Sequence, residues 1–507
     1  MRLSAPILAL ALAGAVPLMA EEAEPVELPR SAIEWLRLPH ASVEVEEPVP
    51  VRPSRSVETQ PLPTLEPDAL GLLPSRATGF PTDLWGLSTA PRIVQRIEAV
   101  RATGVPSART LYHRILLAQA RPPRGSPGQV LTARVEGLVK TGALEAAEAM
   151  LSRAPRPDAT TARLALELGA LTNRGDEACA LIEQFPEFAP DLSWRVWCSA
   201  RDGRWVDAAL TLETGLVLGA IDPVRADHLS WFLDPEFFDL SEELPLPEPM
   251  TALDFTLREA IGLPRPPGDL PLAWLYADVE GQRTHRARIA AAEALVRRGD
   301  LPPPVLFAAY RQERPAASGG IWGRAGAVRD LDAALMEDDG ILAAVRAADE
   351  ALAPLGLRTA LAHEYGAALA EIPAEAPDPT VAAWLLLDER PDAARAWLPP
   401  VPGPTARVAL ALMDPTAEPL ALPVPRTDQE SRALAIHDAL LGPATTLPAV
   451  AQGRLGEALL IALATLDAGT EIEAQDLGEA LSTLRAAGQL NIARRIALET
   501  LFQDALP

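Results

Sequence analysis

Gln129-Val130-Leu131-Thr132-Ala133-Arg134-Val135-Glu136-Gly137-Leu138-Val139-Lys140-Thr141-Gly142-Ala143-Leu144-Glu145-Ala146-Ala147-Glu148 reads as a helix, a glycine turn and the start of a second helix. Its apolar residues recur at three- and four-residue steps, the period of one helix face. The same order returns twice. Thr160 to Leu171 is followed by Gly175 and by Glu177 to Gln184, and Leu192 to Arg201 by Gly203 and by Trp205 to Leu216. Each of the three glycines has an alanine five positions later: Ala147, Ala180 and Ala208. Gly488 and Ala493 repeat the spacing near the C-terminus, between Leu477 and Phe502. The reason is mechanical. Glycine in left-handed backbone ends the first helix, and alanine on the second lets the two backbones cross closely.

This arrangement resembles the tetratricopeptide class of helical repeats, whose units of about 34 residues carry a turn glycine and a packing alanine at this separation. The turn glycines step by 33 residues (142 to 175) and then by 28 (175 to 203). The family's Trp, Leu-Gly and Tyr positions in the first helix are not reproduced in order, and the proline after each unit drifts between Pro155, Pro190 and Pro223. The resemblance implies an all-α solenoid of stacked hairpins, whose extended surface holds other proteins or peptides.

Outward from this stretch the helical pattern continues. Ile93, Ile97 and Val100 keep the period upstream, as do Leu111, Ile115 and Ala118. The hairpin domain is therefore expected over 81–240, with an irregular helical continuation over 241–398. Pro399-Pro400-Val401-Pro402 and Pro423-Val424-Pro425 bound an expected linker over 399–428, before a C-terminal helical block at 429–507. Alternating β-branched runs are nearly missing and the chain has two asparagines, Asn173 and Asn491, so strands are not expected. Prolines number 51 in 507 residues, about twice the usual share of roughly 5%, which demands many short elements or unfolded stretches.

The N-terminal residues carry an address. Met1-Arg2, the apolar run Ile7 to Ala15 and Leu18-Met19-Ala20 before Glu21 have the order of a secretory signal peptide cleaved after Ala20; an uncleaved anchor is the other reading. No later stretch reaches 18 uninterrupted apolar residues, so no membrane span is expected in the mature chain, which is placed in the periplasm or outside the cell. Residues 21–80 are rich in Pro and Glu and read as a disordered acidic tether. In an oxidising compartment Cys179 and Cys198 are expected to form a disulfide, the alternative being two buried thiols.

Chemistry is scarce. The net charge of −24 argues against sequence-independent nucleic-acid binding, which needs clustered Lys and Arg. His363-Glu364 opens like a zincin helix, but position 367 is alanine, and the six histidines are scattered. Ser318 to Gly326 is glycine-rich, yet no strand precedes it and it reads as a flexible loop rather than a phosphate cradle. No catalytic residue, cofactor or metal site is assigned. Trp194, Trp197 and Trp205 surround Cys198 at helical spacing and read as core. Trp231, Phe232, Phe237 and Phe238 form an aromatic cluster where the repeats loosen, and are read either as a cap on the last hairpin or as a partner-binding patch. The expected function is an exported, non-catalytic scaffold or adaptor binding envelope proteins or peptides. The alternative is an envelope enzyme acting on cell-wall glycan, or its regulatory subunit.

Overall fold

The computed structural model describes residues 66–502 apart from 102–104, 126–127, 155–156, 237–243, 265, 267, 269, 281–283, 313–318, 444–445 and 447–452. The described residues belong to one of the chain's two units, Pro63–Pro507. The unit is all-α. Its helices run α1 (Ser75–Thr78), α2 (Ala90–Ala99), α3 (Pro106–Leu116), α4 (Gln129–Lys140), α5 (Leu144–Leu151), α6 (Ala159–Leu171), α7 (Gly175–Gln184) and α8 (Leu192–Arg201). They continue with α9 (Trp205–Val217), α10 (Pro223–Leu233), α11 (Ala252–Ala260), α12 (Leu272–Glu280), α13 (His285–Arg298), α14 (Pro303–Gln312), α15 (Gly320–Glu337) and α16 (Ile341–Leu352). The last are α17 (Arg358–Ala370), α18 (Pro379–Leu387), α19 (Pro391–Trp397), α20 (Pro404–Met413), α21 (Asp428–Leu440), α22 (Leu455–Leu466), α23 (Ala474–Ala486) and α24 (Leu490–Leu501). No strand occurs among the described residues; Leu73 with Ala118 and Thr89 with Arg124 make isolated parallel bridges.

Proline starts helices here instead of breaking them. It occupies the first or second position of α2, α3, α10, α18, α19 and α20, where its missing N–H has no partner to lose. Helix α14 begins inside Pro302-Pro303-Pro304, and one expectation falls for the same reason. The stretch 399–428, expected as a linker, contains α20, whose Val408, Ala409 and Leu412 are buried against α21 and α24. The expected signal peptide and the expected tether up to residue 65 lie outside the described residues; in the tether's last expected stretch Leu70 and Phe80 are buried, and Asp68 accepts from the N–H groups of Gly128 and Leu131 at the start of α4. Ser318 lies outside the described residues, but Gly320 to Gly326 form the first turns of α15 rather than a loop.

The hairpin turns share one geometry. Gly142, Gly203 and Gly488 have φ of +81°, +77° and +76°. The next residue donates its N–H to the carbonyl five positions back: Ala143 to Leu138, Arg204 to Ser199 and Gln489 to Leu484, the closing bond of a Schellman cap. In the second hairpin the register read from the sequence is wrong. Asn173, not Gly175, takes the left-handed position at φ +58°. Arg174 closes the cap on Gly169, and the buried alanine is Ala178, with Ala180 exposed. The turn residues then step by 31 (142 to 173) and 30 (173 to 203), more even than the glycine count. Gly175 serves another purpose: a Cβ there would lie 2.4 Å from the Trp197 ring. A further copy hides at α18–α19, where Glu389 takes φ +55°, Arg390 caps onto Leu385 and Ala394 is buried five positions after the turn.

Cys179 on α7 and Cys198 on α8 are joined, with Cα atoms 5.4 Å apart. The bridge lies in a separate small core with Ile182, Trp194, Trp197 and Leu212. Trp194 meets Trp197 edge-on at 5.6 Å. Replacing both cysteines by serine is expected to lower stability by about 3 kcal/mol, the chain-entropy value for a loop of 19 residues. Urea unfolding of the variant against oxidised protein checks this; coincident curves would mean the two helices are held by packing alone.

Helices from the two ends of the described residues meet. Helix α22 packs on α2 and α3, and α24 on α3. Buried Glu457 accepts from Ser88 Oγ at 2.9 Å and pairs with Arg92, while Glu499 accepts from Ser107 N at 2.9 Å and Ser107 Oγ at 2.7 Å. Leu87 N donates to Gly453 O and Gly456 N to Leu84 O. These contacts, with Asp467 accepting from the Arg101 N–H, join residues roughly 360 to 390 positions apart.

Candidate functional site

A concavity of about 690 Å³ lies between α5, α6 and α7, the second helix of one hairpin and both helices of the next. Such a volume is in the range that holds a small ligand or a few peptide residues. Its floor is apolar: Leu168, Gly169 and Ala178 lie beneath, with Ala149, Leu151 and Leu181 on the walls. Gly169 is a necessity of the floor, since a Cβ there would stand 2.8 Å from that of Ala178.

The rim is acidic. Glu145, Glu148 and Glu177 line it against one arginine, Arg174. Arg174 already donates to Glu148 at 3.0 Å, and Tyr276 from α12 donates its hydroxyl to Glu145. An apolar trough with carboxylates at its edge is chemically suited to an apolar side chain beside a cation.

Of the aromatic residues singled out in the sequence, Trp231 is buried and Phe232 is half-buried against the disulfide core. Phe237 and Phe238 lie outside the described residues. Trp205, expected in the core with Trp194 and Trp197, is instead exposed on α9. Sequence periodicity missed this because α9 is apolar on its outer side as well as its inner one.

A second cluster gathers titratable groups along α3. Buried Arg109 pairs with buried Asp300 and donates to Thr141 O at 2.9 Å. A ring nitrogen of His113, Nε2, is 2.7 Å from Thr141 Oγ1. Burial pushes the Asp300 carboxyl up to about 6 against the pull of Arg109, and pushes His113 down to about 3 with help from the Arg109 charge. Burial also raises Glu499 to about 7, opposed by its bonds from Ser107. Glu499 borders a 370 Å³ cavity with Ser107, Thr110, His363, Asp388, Glu389 and Arg495.

No family model, curated protein or solved structure matches this chain. Perturbed titration of this kind marks either a catalytic centre or a structural network. Both oxygens of Glu499 accept from Ser107, and Arg109 is tied to Asp300 and Thr141. These groups fasten α3 to its neighbours. Among the described residues no group of three or more His, Cys, Asp or Glu is placed to hold a metal ion, and no helix is long and apolar enough to cross a membrane.

Proposed function

We propose that the chain is an exported scaffold of tetratricopeptide-like hairpins, stacked in succession, that binds segments of other envelope proteins in the trough between α5, α6 and α7. The observation that carries this reading is the trough itself: an apolar floor framed by two consecutive hairpin units, with Glu145, Glu148 and Glu177 at its rim. The even turn spacing of 31 and 30 residues supports the stacked arrangement. Export is supported by the apolar run at Ile7 to Ala15 and by the disulfide, with the mature chain beginning at Glu21 in this reading.

The partner segment is an extended peptide with leucine or valine beside lysine or arginine. Titration of the full-length protein with short synthetic peptides of that composition tests it, with an otherwise identical set carrying glutamate for lysine. The basic peptides are expected to bind at least tenfold more tightly, with on-rates that fall as salt rises. Ala149→Trp, which fills the trough from a half-buried wall position, is expected to abolish binding while leaving the helical circular dichroism unchanged. Equal affinity for both sets, or binding that survives Ala149→Trp, would exclude the trough as the site.

A further inference from the structure

Helix α9 buries little of itself. Only Ala208, Leu212 and Gly215 face the core. From the edge of that buried stripe round to the far side, Trp205 is 51%, Leu210 66%, Val206 81% and Val217 84% exposed, with Leu216 and Leu218 also open to solvent. Large apolar side chains standing together on one exposed helix face mark an interaction surface, whereas single ones do not. At 3.6 residues per turn these residues occupy one continuous arc.

Glu213 stands inside that arc. It is one turn from Ala209 and Leu210 on one side and from Leu216 and Val217 on the other. Among the described residues Glu213 makes no ion pair, and the nearby Arg204 is engaged by Asp202 and Glu183. Covering this face would bury a carboxylate, which is costly unless a cation arrives with the cover. The chemistry of the occupant follows. A second copy paired through the centre of this face about a two-fold axis would oppose two Glu213 carboxylates. A lipid surface is disfavoured by the same central charge and by the net charge of −24.

We propose that the outer face of α9 is a docking site for an amphipathic helix of another protein, whose apolar stripe carries an arginine or lysine opposite Glu213. The site is separate from the trough between α5 and α7 and goes beyond that reading. The test uses full-length protein and two synthetic amphipathic helical peptides with the same leucine stripe, one with arginine and one with glutamate at the stripe's centre. Calorimetric titration is expected to show the arginine peptide binding at least tenfold more tightly. Glu213→Arg is expected to reverse the preference, and Leu210→Asp to abolish binding with the melting curve unchanged. Ala149→Trp is expected to leave this binding intact, which separates a failure here from a failure of the trough. Equal affinities, or binding that survives Leu210→Asp, would overturn the proposal. So would a dimer in sedimentation, or uptake onto lipid vesicles, that Leu210→Asp abolishes.

Discussion

Replacing Arg134 by methionine is expected to destabilise the fold by roughly 4 kcal/mol, since three buried carbonyls lose their donor at about 1–3 kcal/mol each before relaxation. Arg134 is fully buried on α4. Its guanidinium reaches Leu116 O and Leu70 O at 2.5 Å and Ala118 O at 2.8 Å. One side chain thereby satisfies the end of α3, the segment after it and the N-terminal strap at Leu70. Burial brings the group down to about 10, with the charge of Asp68 opposing, so it remains charged at neutral pH. Methionine fills the volume and offers no donor. Lysine restores a charge but not the fork, and is expected to recover only part of the loss. Urea unfolding of both variants measures this. A methionine variant within about 1 kcal/mol of the parent would show that water replaces the guanidinium at no great cost.

Asp300→Ala is expected to cost about 3–5 kcal/mol, because it strands the positive charge of Arg109 in a site where both side chains are 1% exposed. Joint replacement by Arg109→Met and Asp300→Leu is expected to recover most of that, since an apolar pair of similar volume avoids desolvating two ions. The pH dependence supplies a second readout. The folded-state carboxyl of Asp300 is raised from 3.8 to about 6. Its proton-linked stabilisation is therefore complete below about 3.8 and is lost as pH rises through 6. Glu499, raised from 4.5 to about 7, acts in the same direction over a higher window. His113, lowered from 6.5 to about 3, has the opposite sign: its contribution is present above 6.5 and lost as pH falls through 3. The double variant is expected to decline less steeply than the parent between about pH 4 and 6, keeping only the part that Glu499 contributes. A double variant as unstable as Asp300→Ala would mean that the site selects for charge rather than for fit.

The all-helical class was legible because three- and four-residue periodicity and glycine turns are local signals. The turns at Gly142, Gly203 and Gly488 and the Cys179–Cys198 bridge followed from the sequence in the same way. The turn at Asn173 was misplaced by two residues because a glycine retained for contact with Trp197 stood nearby. The hairpin at Glu389 was missed outright, since a left-handed glutamate gives no compositional signal. Prolines misled wherever they open a helix, as at Pro303 and Pro404. The trough could not be read from sequence because its walls come from three helices whose crossing is set by packing. The α9 face was legible in principle, as an apolar helix with too many sides to bury, but Trp205 was assigned to the core by its spacing from Trp194 and Trp197.

The meeting of α22 and α24 with α2 and α3 bears on the order in which the chain acquires structure. The partners of Ser88, Arg92 and Ser107 across this seam, Glu457 and Glu499, are synthesised some 360 to 390 positions later. A nascent polypeptide of this design cannot close the seam until those two carboxylates have been made.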